Sequence, residues 1–134
     1  MASIAAIQGL HHAEATKLRK ARVRTTEALL KTAASRKGRK DLSETTGLDE
    51  KRILDWVNRA DLMRVKCIGS EYSDLLEAAG VDTIKELRRR NPRNLLEVMG
   101  ELNLRKRLVR RLPTESMVTG WVESAKMTEP LVGY

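Results

Sequence analysis

The sequence predicts an all-α fold in which two tandem repeats of about 58 residues pack into one compact helical domain. The first observation is composition: 41% of the 134 residues are hydrophobic, there is no Phe, and aromatic residues make up only 3%. The second is that helix-favouring residues such as Ala, Leu, Glu, Lys and Arg are abundant, while the alternation typical of strands is absent. The third is an internal repeat. A chain of this length suits one domain or two small units with a shared core.

The repeat becomes visible when the sequence is shifted by 58 positions. Residues 7–29 then align with residues 65–87, apolar positions match apolar positions, and Thr25 falls on Thr83. A period of this size is typical of a repeated structural unit. We therefore expect a first repeat over residues 1–61, a second over residues 62–126, and an irregular tail over residues 127–134.

Each repeat is predicted to open with a short apolar segment and a turn marked by glycine, followed by several helices. Gly80 suits the left-handed position that ends a helix, and Arg22 takes the matching place less comfortably. Thr25 and Thr83 are expected to cap the helices that follow them. Trp56 and Trp121 are expected to form the core, together with other apolar residues at helical spacing. The expected helices cover 13–22, 26–34, 39–46 and 50–64 in the first repeat, and 71–79, 84–90, 92–102, 104–112 and 115–126 in the second.

The two turns resemble a known motif. Residues 7–18 are Ile-Gln-Gly-Leu-His-His-Ala-Glu-Ala-Thr-Lys-Leu, and residues 65–81 are Val-Lys-Cys-Ile-Gly-Ser-Glu-Tyr-Ser-Asp-Leu-Leu-Glu-Ala-Ala-Gly-Val. Both resemble the helix-hairpin-helix motif, in which Gly-hydrophobic-Gly precedes a helix that ends before a small and a hydrophobic residue. With both hairpins and Leu54–Val57, residues 4–126 are similar to an uncharacterised bacterial family of tandem-hairpin proteins of unknown function. The resemblance implies the two-repeat helical fold.

In well-studied hairpin proteins, such as polymerases, repair nucleases and junction-binding proteins, the turn binds a DNA phosphate. Backbone N–H groups and the positive end of the helix dipole make the contact. Such binding ignores base identity and weakens with salt. The resemblance implies a non-enzymatic, sequence-independent DNA-binding protein. The corresponding positions are Gly9, Leu10, His11 and His12, with Lys17, Arg19 and Lys20 on the following helix, in the first repeat, and Gly69 and Ser70 in the second.

Each turn departs from the motif at one glycine. His11 stands at the second glycine of the first turn, and Cys67 stands at the first glycine of the second. Glu71 places a negative charge beside the second turn, so the sequence favours the first turn as the phosphate site. The alternative is that the hairpins serve only packing, in a protein-interaction module or a small structural subunit of a larger assembly.

The formal net charge of +8 indicates an anionic partner. Basic residues cluster at 17–24, 36–40, 88–93 and 105–111, and in the last cluster helical spacing would place Arg107, Arg110 and Arg111 on one face. The scarcity of aromatic residues favours the backbone of duplex DNA over single strands. An acidic protein partner and a merely solvated basic surface are the alternatives. The residues of the last cluster expected to contact nucleic acid are Arg105, Arg107, Arg110 and Arg111.

Other function classes find little support in the sequence. His11 and His12 have no neighbours at ligand spacing, so no metal site is expected. Cys67 is predicted to be a buried structural thiol. No nucleophile elbow, phosphate loop or catalytic carboxylate pair is present, so neither catalysis nor a cofactor is expected. Without a signal segment or a long apolar stretch, we expect a cytoplasmic protein with no membrane span, whose oligomeric state and partner are left open.

Overall fold

The computed structural model describes residues 2–134, and the regular structure in this range is helical throughout, as the sequence predicts. One isolated bridge joins Ser3 and Thr25, and residues 2–134 contain no β-strand. The chain divides into two compact units, Met1–Asp61 with Leu131–Tyr134, and Leu62–Pro130. After a 3-10 turn at Ile4–Ala6, the helices are α1 (His12–Lys20), α2 (Thr26–Ala33), α3 (Arg36–Thr46), α4 (Glu50–Leu62), α5 (Ser70–Ala78), α6 (Ile84–Leu87), α7 (Pro92–Lys106) and α8 (Glu115–Lys126).

Local chemistry sets the helix ends of the first unit. The Thr25 side chain accepts the Ala28 N–H at 3.1 Å and begins α2, as predicted. Ser35 accepts the Gly38 N–H at 3.0 Å, which starts α3 three residues earlier than expected. Arg22, at φ 67°, does take the left-handed position that follows α1. The main buried residues of this unit are Ile4, Leu18, Val23, Leu29, Ile53, Trp56 and Val57.

The last residues of the chain pack on α2 and α3 of the first unit through Arg39. The Arg39 side chain is buried and donates to the carbonyls of Ala33, Ala34 and Gly133. Burial lowers the pKa of this guanidinium. The Gly133 N–H donates in return to the Ala34 carbonyl at 2.9 Å. A single buried cation thus satisfies three backbone acceptors and holds the segment around Gly133 against the first unit.

The second unit follows the same rules. Gly80, at φ 89°, lies left-handed after α5, and the Thr83 hydroxyl accepts the Glu86 N–H at 3.3 Å at the start of α6. Asn91 caps α7 with Pro92 at its first position, which suits a residue without an N–H. The predictions for Gly80 and Thr83 are confirmed. The core of this unit comprises Leu62, Val65, Ile68, Leu75, Leu76, Val81, Ile84, Leu87, Leu95, Met99, Val109, Val118, Trp121, Val122 and Ala125.

Candidate functional site

A surface cleft of about 430 Å³ lies at the turn that precedes α5, and we call it the arginine cleft. The turn supplies one wall, and two arginines from the loop between α7 and α8 supply the other. Its lining residues are Cys67, Gly69, Ser70, Glu71, Tyr72, Arg110 and Arg111.

The turn is held by one buried side chain. Ile68 is 3% exposed and its N–H donates to the Val65 carbonyl at 3.1 Å. Cys67 before it has φ 76°, a left-handed conformation that turns the chain sharply. Gly69 is the N-cap residue of α5 and has no side chain that could cap the helix. The first residues of α5 therefore line the arginine cleft, and their N–H groups have no side-chain acceptor from the N-cap residue.

The cysteine prediction was wrong, because Cys67 is exposed. Its left-handed conformation directs Ile68, the next residue, into the core and leaves the thiol at the surface. Cys67 lines the arginine cleft instead of filling the interior.

The arginine wall is a loop held by side-chain hydrogen bonds. The Asn103 side chain makes two hydrogen bonds with Val109: Nδ2 donates to the carbonyl at 3.1 Å, and Oδ1 accepts the N–H at 3.0 Å. The Tyr72 hydroxyl donates to the Arg111 carbonyl at 3.0 Å, and the Tyr72 ring lies 5.2 Å from that of Trp121. The backbone of Arg110 and Arg111 is thus held in place on both sides.

The prediction of a separate helix over residues 104–112 was wrong. Helix α7 continues to Lys106, Arg107 ends it in the left-handed region at φ 49°, and residues 107–114 contain no helix. Arg107, Arg110 and Arg111 therefore do not share a helix face. Only the last two line the arginine cleft, while Arg107 and Arg105 are exposed at the end of α7.

The charge of the arginine cleft is positive. Arg110 and Arg111 are exposed, and within residues 2–134 no carboxylate pairs with either of them or with the N–H groups that start α5. Glu71 is the acidic residue of the lining. Two cations against one carboxylate, beside the positive end of a helix dipole, form an environment that attracts anions.

The turn before α1 has a similar backbone, but a side chain of the protein itself binds at the helix start. Gly9 has φ 85°, His11 precedes the helix, and α1 begins at His12. Here the Glu14 side chain folds back, and its Oε1 accepts the His11 N–H at 3.0 Å. A carboxylate of the chain itself thus occupies the helix start.

Arg52 of α4 binds this carboxylate in a forked geometry. Its Nη2 lies 2.8 Å from both Glu14 oxygens, and its Nε lies 3.2 Å from Oε2. The same Nη2 also donates to the Gly9 carbonyl at 3.1 Å, and the guanidinium sits 5.3 Å from the centre of the Trp56 ring. The turn before α1 is therefore filled by an internal ion pair, which we call the Glu14–Arg52 pair.

The Glu14–Arg52 pair shifts the acidity of Glu14. Burial raises the pKa of this carboxyl, but the His11 N–H and the Arg52 guanidinium together lower it by more, so the net pKa is below its ordinary value. The stabilisation that the Glu14–Arg52 pair gives the fold is therefore complete above the ordinary carboxyl pKa. It is lost as the pH falls through the lowered pKa of Glu14 in the folded state.

We expect Glu14→Gln to reduce the free energy of unfolding by about 1 kcal/mol at pH 7, because it removes a charge-assisted cap. The difference from the wild type should shrink as the pH falls through the lowered pKa. Urea unfolding of both proteins between pH 7 and pH 3 measures it. A difference that grows toward low pH would contradict this account.

The three basic residues predicted on α1 lie away from the turn that precedes this helix. Lys17, Arg19 and Lys20 occupy the last turn of α1, so they lie at the opposite end of that helix from His11. There they interact favourably with the negative end of the helix dipole. The side chains of His11 and His12 are exposed, and Leu10 is half-buried.

Within residues 2–134, no group of three or more His, Cys, Asp or Glu residues is arranged to hold a metal ion. No helix in this range combines the length and the apolar character needed to cross a membrane.

Sequence comparison places the chain in a family. No curated protein and no solved structure matches it. The family model described as Domain of unknown function (DUF4332) matches residues 8–128, which is most of the chain. The protein therefore belongs to the DUF4332 family.

Proposed function

We propose that the two units are tandem helix-hairpin-helix repeats. The support is positional: helix starts, capping threonines and left-handed residues recur in the second unit 58 residues after the first. Backbone features of the two units thus recur at the same 58-residue spacing as the sequence repeat. The pairs are His12 and Ser70, Thr25 and Thr83, Gly9 and Cys67, and Arg22 and Gly80.

We further propose that the protein is a non-enzymatic DNA-binding protein that contacts the phosphate backbone of a duplex through the arginine cleft. One observation carries this proposal: Arg110 and Arg111 lie beside a helix start that lacks a side-chain cap. A phosphate placed there would accept hydrogen bonds from backbone N–H groups and from guanidinium groups. The same contacts carry no base information, so binding would be independent of sequence.

We thus propose the second turn as the phosphate site, where the sequence favoured the first. The sequence favoured the first turn because it has more basic residues and lacks an acidic residue like Glu71. The Glu14 carboxylate, however, lies at the first turn, where it would repel a phosphate. Arg105 and Arg107, exposed at the end of α7, add positive charge to the same unit.

The test is titration of a labelled duplex of mixed sequence at several salt concentrations. The wild-type affinity should fall steeply with salt, since each phosphate neutralised contributes roughly 0.9 to the slope of log affinity against log salt. In Arg110→Ala/Arg111→Ala the magnitude of this slope should be smaller by about 2, and the affinity at low salt should fall at least about tenfold.

The matched control is Lys85→Ala/Lys126→Ala, which removes two exposed cations of the same unit that do not line the arginine cleft. It should lose much less affinity than the arginine variant. Absence of binding at low salt, or equal losses in the two variants, would overturn the proposal.

A second candidate function is binding of an acidic protein. It is favoured by Leu104, which is 82% exposed next to Arg105, and by Leu112, which lies 3.8 Å from the position that a Cβ on Gly100 would take. Gly100 and Leu104 are four residues apart and so lie on the same face of α7. Leu112 packs at Gly100, so the two leucines lie on the same side of this helix. An apolar centre with a basic rim suits an acidic amphipathic helix. If a synthetic helix of that kind binds the wild type, and Leu104→Ser weakens it while duplex DNA does not bind, this candidate replaces the first.

A further inference from the structure

The first turn already holds an anion, which is the carboxylate of Glu14. Its Oε1 accepts a backbone N–H at a helix start and is 2.8 Å from an arginine nitrogen. A phosphate oxygen at such a turn would be bound by the same kinds of donor, a backbone N–H group and a guanidinium. The first turn is therefore chemically equipped for an anion, but an internal group is bound there.

The repeat spacing identifies what differs in the second turn. Residue 52 shifted by 58 positions is Arg110, and residue 14 shifted by 58 positions is Tyr72. Arg52 lies against its turn at the Gly9 carbonyl, and Arg110 lines the cleft at its own turn. The arginine thus has a counterpart in the second unit, whereas the position that corresponds to Glu14 is taken by Tyr72, whose hydroxyl donates to the Arg111 carbonyl.

We infer that Glu14 is a built-in substitute for phosphate that closes the anion site of the first turn, so that the protein offers one open phosphate site instead of two. The inference deepens the proposed function and rests on it where duplex DNA is concerned. Removal of the carboxylate frees Arg52 and the His11 N–H at the start of α1, and a phosphate group then binds there.

The variant that tests this inference is Glu14→Ala, and the probe is inorganic phosphate. In the variant, the backbone amide signals of His11, His12 and Ala13 should shift in a saturable manner as phosphate is added, while in the wild type they should not. Glu14→Ala/Arg52→Ala should lose the response, because the guanidinium is part of the site.

The matched control is Glu27→Ala. Glu27 is exposed in the first turn of α2 in the same unit, so its removal changes the net charge equally without touching the turn before α1. A phosphate response at His11–Ala13 in this variant would show a general effect of charge and would overturn the inference.

Duplex titration provides the second readout. Glu14→Ala should steepen the salt dependence by about 1 relative to Glu27→Ala, since one more phosphate is contacted. Glu14→Gln retains an oxygen that can accept the His11 N–H, so it serves as a folded variant with a smaller phosphate response.

The outcomes separate the inference from the proposed function. If the wild type binds duplex DNA but Glu14→Ala gains neither phosphate shifts nor a steeper slope, the inference fails and the function stands. If the wild type does not bind DNA but Glu14→Ala binds phosphate at the first turn, the function fails and the closed anion site stands.

Discussion

Replacing Arg39 with methionine is expected to lower the free energy of unfolding by about 2 to 4 kcal/mol. Methionine keeps much of the apolar stem but cannot donate to the carbonyls of Ala33 and Gly133, which lose the guanidinium as their partner. Buried acceptors without partners are costly because they have given up hydrogen bonds to water. Urea unfolding, with linear extrapolation to water, measures the loss.

The control for Arg39→Met is Lys40→Met at the neighbouring exposed position, which should change the stability by less than about 0.5 kcal/mol. Hydrogen exchange at the Gly133 amide gives a local readout. It should accelerate in Arg39→Met and not in Lys40→Met. Equal losses in the two variants would contradict the role assigned to Arg39.

Leu76→Ala is expected to cost about 2 to 5 kcal/mol, since it leaves a cavity in the core of the second unit. Leu76 is fully buried there. The same substitution at Leu104, which is 82% exposed, should cost less than about 0.5 kcal/mol. Thermal and urea unfolding of the two variants compare them directly, and similar losses would mean that the core of this unit is wrongly identified.

Features decided by neighbouring residues could be predicted from the sequence. A threonine before an apolar helical stretch caps it because its hydroxyl reaches an N–H three residues on, as Thr25 and Thr83 do. Gly80 is left-handed because glycine carries no Cβ, and the repeat then predicted the same conformation for Arg22. Because these interactions join residues close together in the chain, residue type and spacing are enough to predict them.

The loop that carries the arginines could not be predicted in this way. Leu104, Leu108 and Leu112 recur every four residues, which is the spacing of a helix. The structure departs from that pattern because Asn103 binds the backbone of Val109 and because Tyr72, about forty residues earlier in the chain, binds the Arg111 carbonyl. Contacts between distant segments leave no periodic signal in the sequence.

The Glu14–Arg52 pair was only half visible in the sequence. Glu14 follows His11 by three residues, which is the spacing of a capping carboxylate, so that signal was available. Arg52, however, is 38 residues from its partner and resembles any other cation of a basic chain. Its role depends on how α4 lies against the first turn.

The most direct test of the central claim is to map the binding of a short duplex on the wild-type protein by the shifts of its backbone amide signals. The account predicts that the amides of Ser70, Glu71 and Tyr72, together with Arg110 and Arg111, shift as the duplex is added, and that His12 and Ala13 do not. Shifts confined to His12 and Ala13, or no shifts at low salt with excess duplex, would contradict it.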